Sequence, residues 1–102
     1  MVVPLLALGG KGVISVMANI IPKKTHELVA TFLDGNVEES RKIQLSLLNL
    51  IKALFIEVSP IPVKAAMNLM GMEVGKCRLP LTDMTEKNFE ILKQTLKDYG
   101  LI

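Results

Sequence analysis

The first residues whose types and spacing invite chemistry are Gly9-Gly10-Lys11-Gly12, a glycine-rich turn with a lysine inside it. Such a turn cradles phosphate when it joins a strand to the helix after it and a Ser or Thr follows the Lys. Here the glycines precede the apolar run Val13 to Met17 and Gly12 follows the Lys, so the phosphate-loop reading is rejected. His26, the one histidine, falls within a helical pattern and has no Cys or second His at ligand spacing. It reads as a surface or hydrogen-bonded histidine, not as a metal ligand or general base. Cys77 lies between Lys76 and Arg78, whose charges favour a thiolate, but an ordinary intracellular thiol is the preferred reading. Lys64, between Val63 and Ala65, is the lysine best placed for amine catalysis, which needs burial to depress its pKa. A helix-surface lysine whose stem covers apolar neighbours explains the same pattern equally well. The six methionines sit mostly at helical core spacings and read as core filling. On side chains alone there is no catalytic constellation, and no metal or cofactor is called for.

The elements that must position these residues start from the glycine turn. Gly9, Gly10 and Gly12 make a bend, and Val13 to Met17 leaves it as a β-rich run, which predicts a strand. Everything after it reads as helix. A lone strand cannot satisfy its own N–H and C=O groups, so this one must pair with strands found nowhere else in these residues. Before the turn, Val2 to Leu8 fits a helix with Pro4 near its start and Gly9 at its end, with strand or loop left open over so short a run. Beyond it, Asn19 is the expected cap of a helix over Ile20 to Leu33, with Pro22 in the first turn and Ile21, Leu28, Val29 and Phe32 on one stripe.

Asn36-Val37-Glu38-Glu39 resembles a capping box and predicts the longest helix, Val37 to about Ile56. Leu45 and Leu48 widen its apolar surface beyond one core face and point to a second buried contact. Ser59 is expected to cap the next helix, with Pro60 in its first turn and its end near Gly71. Gly75 to Pro80 is a connector. Thr82, Asp83 and Thr85 all offer capping oxygens for a last helix ending at Gly100, with Phe89, Leu92 and Leu96 facing inward.

At 102 residues the chain has room for one small domain, yet half of it is apolar and only 22% is charged. Mean hydropathy is +0.42. So much apolar surface on a small chain implies cover from further polypeptide. The longest apolar stretches, Gly12 to Pro22 and Leu45 to Ile56, fall short of the roughly 20 residues of a membrane crossing. The N-terminal residues lack the basic start and cleavage site of a signal peptide. One cysteine fits a reducing cytoplasm. The net charge of +2 is spread along the helices without a basic stripe, which gives nucleic-acid binding no support.

Three segments, G-G-K-G-V-I-S-V-M-A-N (Gly9 to Asn19), F-I-E-V-S-P-I-P-V-K (Phe55 to Lys64) and R-L-P-L-T (Arg78 to Thr82), occur in the order and spacing of one family. The chain resembles the C-terminal third of the 4-hydroxy-tetrahydrodipicolinate synthase family, pyruvate-dependent lyases of the lysine pathway, and the resemblance covers essentially its whole length. The related N-acetylneuraminate lyases resemble it less. The resemblance implies the end of a TIM (β/α)8 barrel followed by a helical C-terminal domain. Residues 1–35 would close the barrel, with the eighth strand over Gly12 to Met17 and the eighth helix over Ile20 to Leu33; residues 36–102 would form the appended domain. It also implies condensation of pyruvate, held as a Schiff base, with aspartate semialdehyde, on a lysine and a tyrosine that lie outside these residues. What carries over is the backbone carbonyl of Ile14, facing the pyruvate pocket, with Gly9, Gly10 and Gly12 shaping the approach. Ser59 departs from the family, where Asn is common. Met1 falls inside the helix leading to the eighth strand, which suggests a fragment boundary.

The expectation is therefore a cytoplasmic lyase fragment, inactive alone, whose partner is the N-terminal portion of the barrel or another copy of itself. The alternatives are a non-enzymatic helical module that completes an oligomer interface, or a related pyruvate-dependent lyase such as N-acetylneuraminate lyase.

Overall fold

The computed structural model describes residues 2–102; Met1, and with it the expected fragment boundary, lies outside them. The chain divides into two units, Met1–Leu48 and Asn49–Ile102.

The first unit is built on α1 (Val2–Ala7), a 3-10 turn (Met17–Asn19), α2 (Pro22–Leu33) and α3 (Val37–Ser46). Helix α2 packs on α1, on the turn and on α3. Pro22 suits its first turn, where a missing N–H costs nothing, and Leu28 is fully buried. Asn36 caps α3 as expected, its Oδ1 accepting from the Glu39 N–H at 3.3 Å. Ser40 shows why α2 and α3 lie close: it is fully buried, and its hydroxyl donates to the Leu28 carbonyl across the two helices at 2.7 Å. Gln44, also buried, offers Oε1 to the Val3 N–H at 3.2 Å, satisfying one of the first-turn donors that α1 leaves open.

The expected strand over Gly12 to Met17 is absent. Residues 10–15 have no regular structure, and among the described residues the backbone of 11–15 enters none of the backbone hydrogen bonds. The physical reason is the one anticipated from the sequence: a strand exists only by pairing, and no second strand is present among the described residues. The apolar run instead divides. Val16 turns into the right-handed helical region at φ −64° and Met17 buries itself in the unit, while Ile14 is fully exposed. Asn19 is no helix cap. It sits in the 3-10 turn, donates from Nδ2 to the Val16 carbonyl at 2.9 Å, and leaves Ile21 as the cap residue of α2 without a side-chain cap bond.

The expected long helix over 37–56 is also two helices, α3 and α4 (Leu48–Leu54). The Ser46 hydroxyl donates to the Ile43 carbonyl at 2.7 Å, and the Leu47 N–H is shared between the Ile43 and Gln44 carbonyls at 3.2 Å each. A side chain competing for the helical carbonyl and a tightened last turn end the helix there. Leu45 and Leu48 are left exposed.

The second unit adds α5 (Ile61–Leu69) and α6 (Glu86–Asp98), which pack together; α6, at 13 residues, is the longest helix described. Its interior holds Leu50, Leu54, Ala66, Leu92 and Leu96, all fully buried. Ser59 does not cap α5: Pro60 takes that position, Pro62 lies in the first turn, and the approach is fastened by the Ile61 N–H on the Val58 carbonyl at 2.9 Å. The helix stops at Gly71, whose φ of +89° an L-residue adopts only under strain, as the Met72 N–H closes back on the Met67 carbonyl at 2.9 Å.

Of the capping candidates before α6, Thr85 is the one used, accepting from the Asn88 N–H at 3.3 Å. Glu57, just past α4, fixes that choice. Its Oε2 accepts from the Thr85 N–H and from Asn88 Nδ2, each at 3.0 Å, and from the Thr85 hydroxyl at 3.4 Å. The Asn88 amide first, and then the Thr85 N–H, hold this carboxyl below the usual carboxylate range. A lowered folded-state pKa contributes stability that is present above the unfolded value and lost as pH falls through the folded one. Glu57→Gln should therefore lower Tm near neutral pH, and the gap to the parent should close as pH drops below about 4. Thermal unfolding followed by circular dichroism across that range checks it; a gap independent of pH would show that charge is not what holds the start of α6.

Candidate functional site

Two places gather the residues singled out by sequence. The first is the turn after α1 and the open segment that follows. Gly9 adopts φ +105°, and the Gly10 N–H donates to the Leu5 carbonyl at 3.0 Å, folding the chain back over the helix end. A Cβ on Gly10 would lie 3.0 Å from that same carbonyl oxygen, a tight contact with backbone that would have to give by a few tenths of an ångström. Gly12 meets no such constraint: its φ is unexceptional, and a Cβ added there would find nothing within 4 Å. Ile14 follows on open chain, with Val13 also exposed, and among the described residues its carbonyl enters no backbone bond. The four residues expected to form a substrate approach thus adjoin one another, two of them holding the turn and Ile14 presenting free backbone.

The second place lies wholly within the second unit, a half-open groove of about 360 Å³ between α5, Phe89 of α6 and the connector 75–84. Lys64 and Cys77, far apart in sequence, both line it. Lys64 Nζ donates to the Lys76 carbonyl at 3.4 Å, and Lys76 pairs with Asp83 at 3.4 Å. Asn68, which the sequence does not single out, holds the connector: its Nδ2 donates to the Gly75 carbonyl and its Oδ1 accepts from the Val74 N–H, both at 2.9 Å. The only signal in the residues is an Asn near the end of a helix that precedes a glycine-bearing loop. His26 is exposed on α2, away from any cluster. Among the described residues no group of three or more His, Cys, Asp or Glu is arranged to hold a metal ion, and no helix is long and apolar enough to cross a membrane.

The described residues thus form short helices and one open apolar segment entered through the Gly9-Gly10 turn. Comparison with known proteins assigns the chain to a family. Residues 1–99 match the sequence model of the Dihydrodipicolinate synthetase family, and the chain belongs to that family. It is 65% identical over 100 residues to the 4-hydroxy-tetrahydrodipicolinate synthase of Caldicellulosiruptor bescii, covering 98% of this chain and 34% of that protein. It superposes on a crystal structure of a dihydrodipicolinate synthase with a TM-score of 0.95 at 54% identity, over 98% of this chain and 35% of the other. The chloride-inhibited dihydrodipicolinate synthase of Acinetobacter baumannii, complexed with pyruvate, matches with a TM-score of 0.91 at 40% identity, over 98% of this chain and 34% of that one. The chain therefore spans about a third of the length of the relatives it matches.

The glycine geometry makes a ranking. Gly10→Ala should destabilise the first unit by about 1–3 kcal/mol through the carbonyl clash, and Gly9→Ala by about 1 kcal/mol through its backbone angle. Gly12→Ala should stay within about 0.5 kcal/mol. Urea unfolding midpoints of the three variants test the order.

Proposed function

We propose that these residues form the closing portion of a (β/α)8 lyase that condenses pyruvate, bound as a Schiff base, with aspartate semialdehyde in lysine and diaminopimelate biosynthesis. In this reading residues 1–35 supply the eighth strand and helix of the barrel, the strand forming over Gly12 to Met17 once neighbouring strands flank it, and residues 36–102 supply the appended helical domain. The observation that carries the reading is the segment 11–15: irregular, without backbone hydrogen-bond partners among the described residues, and apolar at its centre, with Val13 and Ile14 exposed. Strands of a parallel barrel are buried on both faces and read as such continuous apolar runs.

Within that enzyme the Ile14 carbonyl lines the pyruvate pocket and accepts a hydrogen bond that orients the substrate, a role that needs strand geometry and no particular side chain. Gly9 and Gly10 set the angle at which the segment arrives. The amine that forms the Schiff base belongs to residues outside this chain, so these 102 residues do not catalyse by themselves. Their partner is the rest of the barrel, their compartment the cytoplasm, in keeping with a single thiol at Cys77. The pyruvate complex of the Acinetobacter baumannii relative supports pyruvate as one substrate.

Two outcomes are expected. Pyruvate and borohydride should leave the mass of the isolated chain unchanged, while a family member carrying the upstream residues gains the reduced adduct; an adduct on Lys64 would defeat the reading. In an enzyme assembled with the upstream portion, Ile14→Ala should change the KM for pyruvate by no more than about threefold, because the carbonyl remains. A loss of roughly a hundredfold in kcat/KM would mean that the side chain itself contacts substrate.

A further inference from the structure

Lys64 takes no part in the proposed reaction, yet it faces a groove whose unused polar groups all point to one kind of ligand. Residues 61, 64, 65, 68 and 69 recur at helical spacing and present one side of α5 to this groove, with Ile61, Leu69 and Phe89 giving it an apolar lining. The groove's charges are unevenly matched. Lys76 has Asp83 at 3.4 Å, whereas the Lys64 ammonium has only the neutral Lys76 carbonyl, also at 3.4 Å, and no carboxylate at ion-pair distance among the described residues. Asn68 uses both its amide nitrogen and its oxygen on the connector. Donors still available at the lining include the remaining Lys64 N–H groups, the Thr82 hydroxyl and the Cys77 thiol.

Donors over an apolar lining select an acceptor with an apolar body. We propose that the groove binds a small organic monocarboxylate, its carboxylate on the Lys64 ammonium and its hydrocarbon part against Leu69 and Phe89. A volume of about 360 Å³ lies at the small end of ligand sites and suits a body of roughly ten non-hydrogen atoms. Inorganic anions satisfy the ammonium but leave the apolar lining wet, so they should compete poorly. The assignment rests on residues of the second unit alone and stands or falls separately from the barrel reading.

Titration of the 15N-labelled chain with benzoate and with hexanoate, followed by amide shifts, tests it. The expected result is saturable shifts confined to residues 61–69 and 75–89, with dissociation constants of about 1 mM. Benzyl alcohol, hexanol and inorganic phosphate should each bind at least about tenfold more weakly. Lys64→Met should lose about tenfold in benzoate affinity, Lys64→Arg should keep it within a few-fold, and Lys52→Met should change nothing. Equal binding of benzoate and benzyl alcohol, equal binding of phosphate, shifts elsewhere, or no saturation would each overturn the proposal. These ligand comparisons are made on the unaltered chain and decide the matter even if Lys64→Met fails to fold.

Discussion

A strand persists only where its peptide groups pair with a neighbouring strand, and five consecutive residues of this chain, 11–15, enter no backbone hydrogen bond among the described residues. The rest of the first unit is arranged around that open stretch. Helix α1 and the Gly9-Gly10 bend fix where it begins, and the 3-10 turn with buried Met17 fixes where it ends. Both ends are anchored in the packing of α1, α2 and the turn, so the middle is held open between them. An unanchored run of valines and isoleucine would collapse on whatever apolar surface was nearest.

Much of this is legible in the residues. Helix ends announce themselves through local chemistry, and the cap at Asn36, the cap at Thr85 and the stops at Gly71 and Gly100 appear where the sequence places them. Core positions Leu28, Leu92 and Leu96 follow from helical spacing and are fully buried. The failures share a cause, since each involves two local solutions of similar energy and a neighbour that chooses between them. Asn19 could cap a helix or close a turn on Val16, and the turn wins. Ser46 could lie quietly on a long helix or bond back to Ile43, and the helix ends. Ser59 yields its cap to a backbone contact between Ile61 and Val58. The strand fails differently: its side-chain pattern describes an environment of flanking strands that these residues do not contain.

The candidate site is legible to a similar degree. The glycine turn stands out by composition, though the sequence cannot rank Gly10 above Gly12, because that ranking depends on the Leu5 carbonyl lying 3.0 Å from a would-be Cβ. That Lys64 and Cys77 line one groove is invisible to spacing, for it depends on a connector with no periodicity being drawn over α5. Glu57 is likewise silent in sequence, although it decides which of three candidate oxygens starts α6.

The fastening of that connector has a chemical corollary. Asn68 faces Val74 and Gly75 with an amide whose two ends are not interchangeable, one giving and one receiving a proton. Hydrolysis to aspartate, the usual ageing reaction of asparagine, would set a carboxylate oxygen against the Gly75 carbonyl, lone pair to lone pair. A change of one atom in an exposed side chain would thus turn a clasp into a wedge, and the lifetime of the loop's closure is bounded by the lifetime of a single amide.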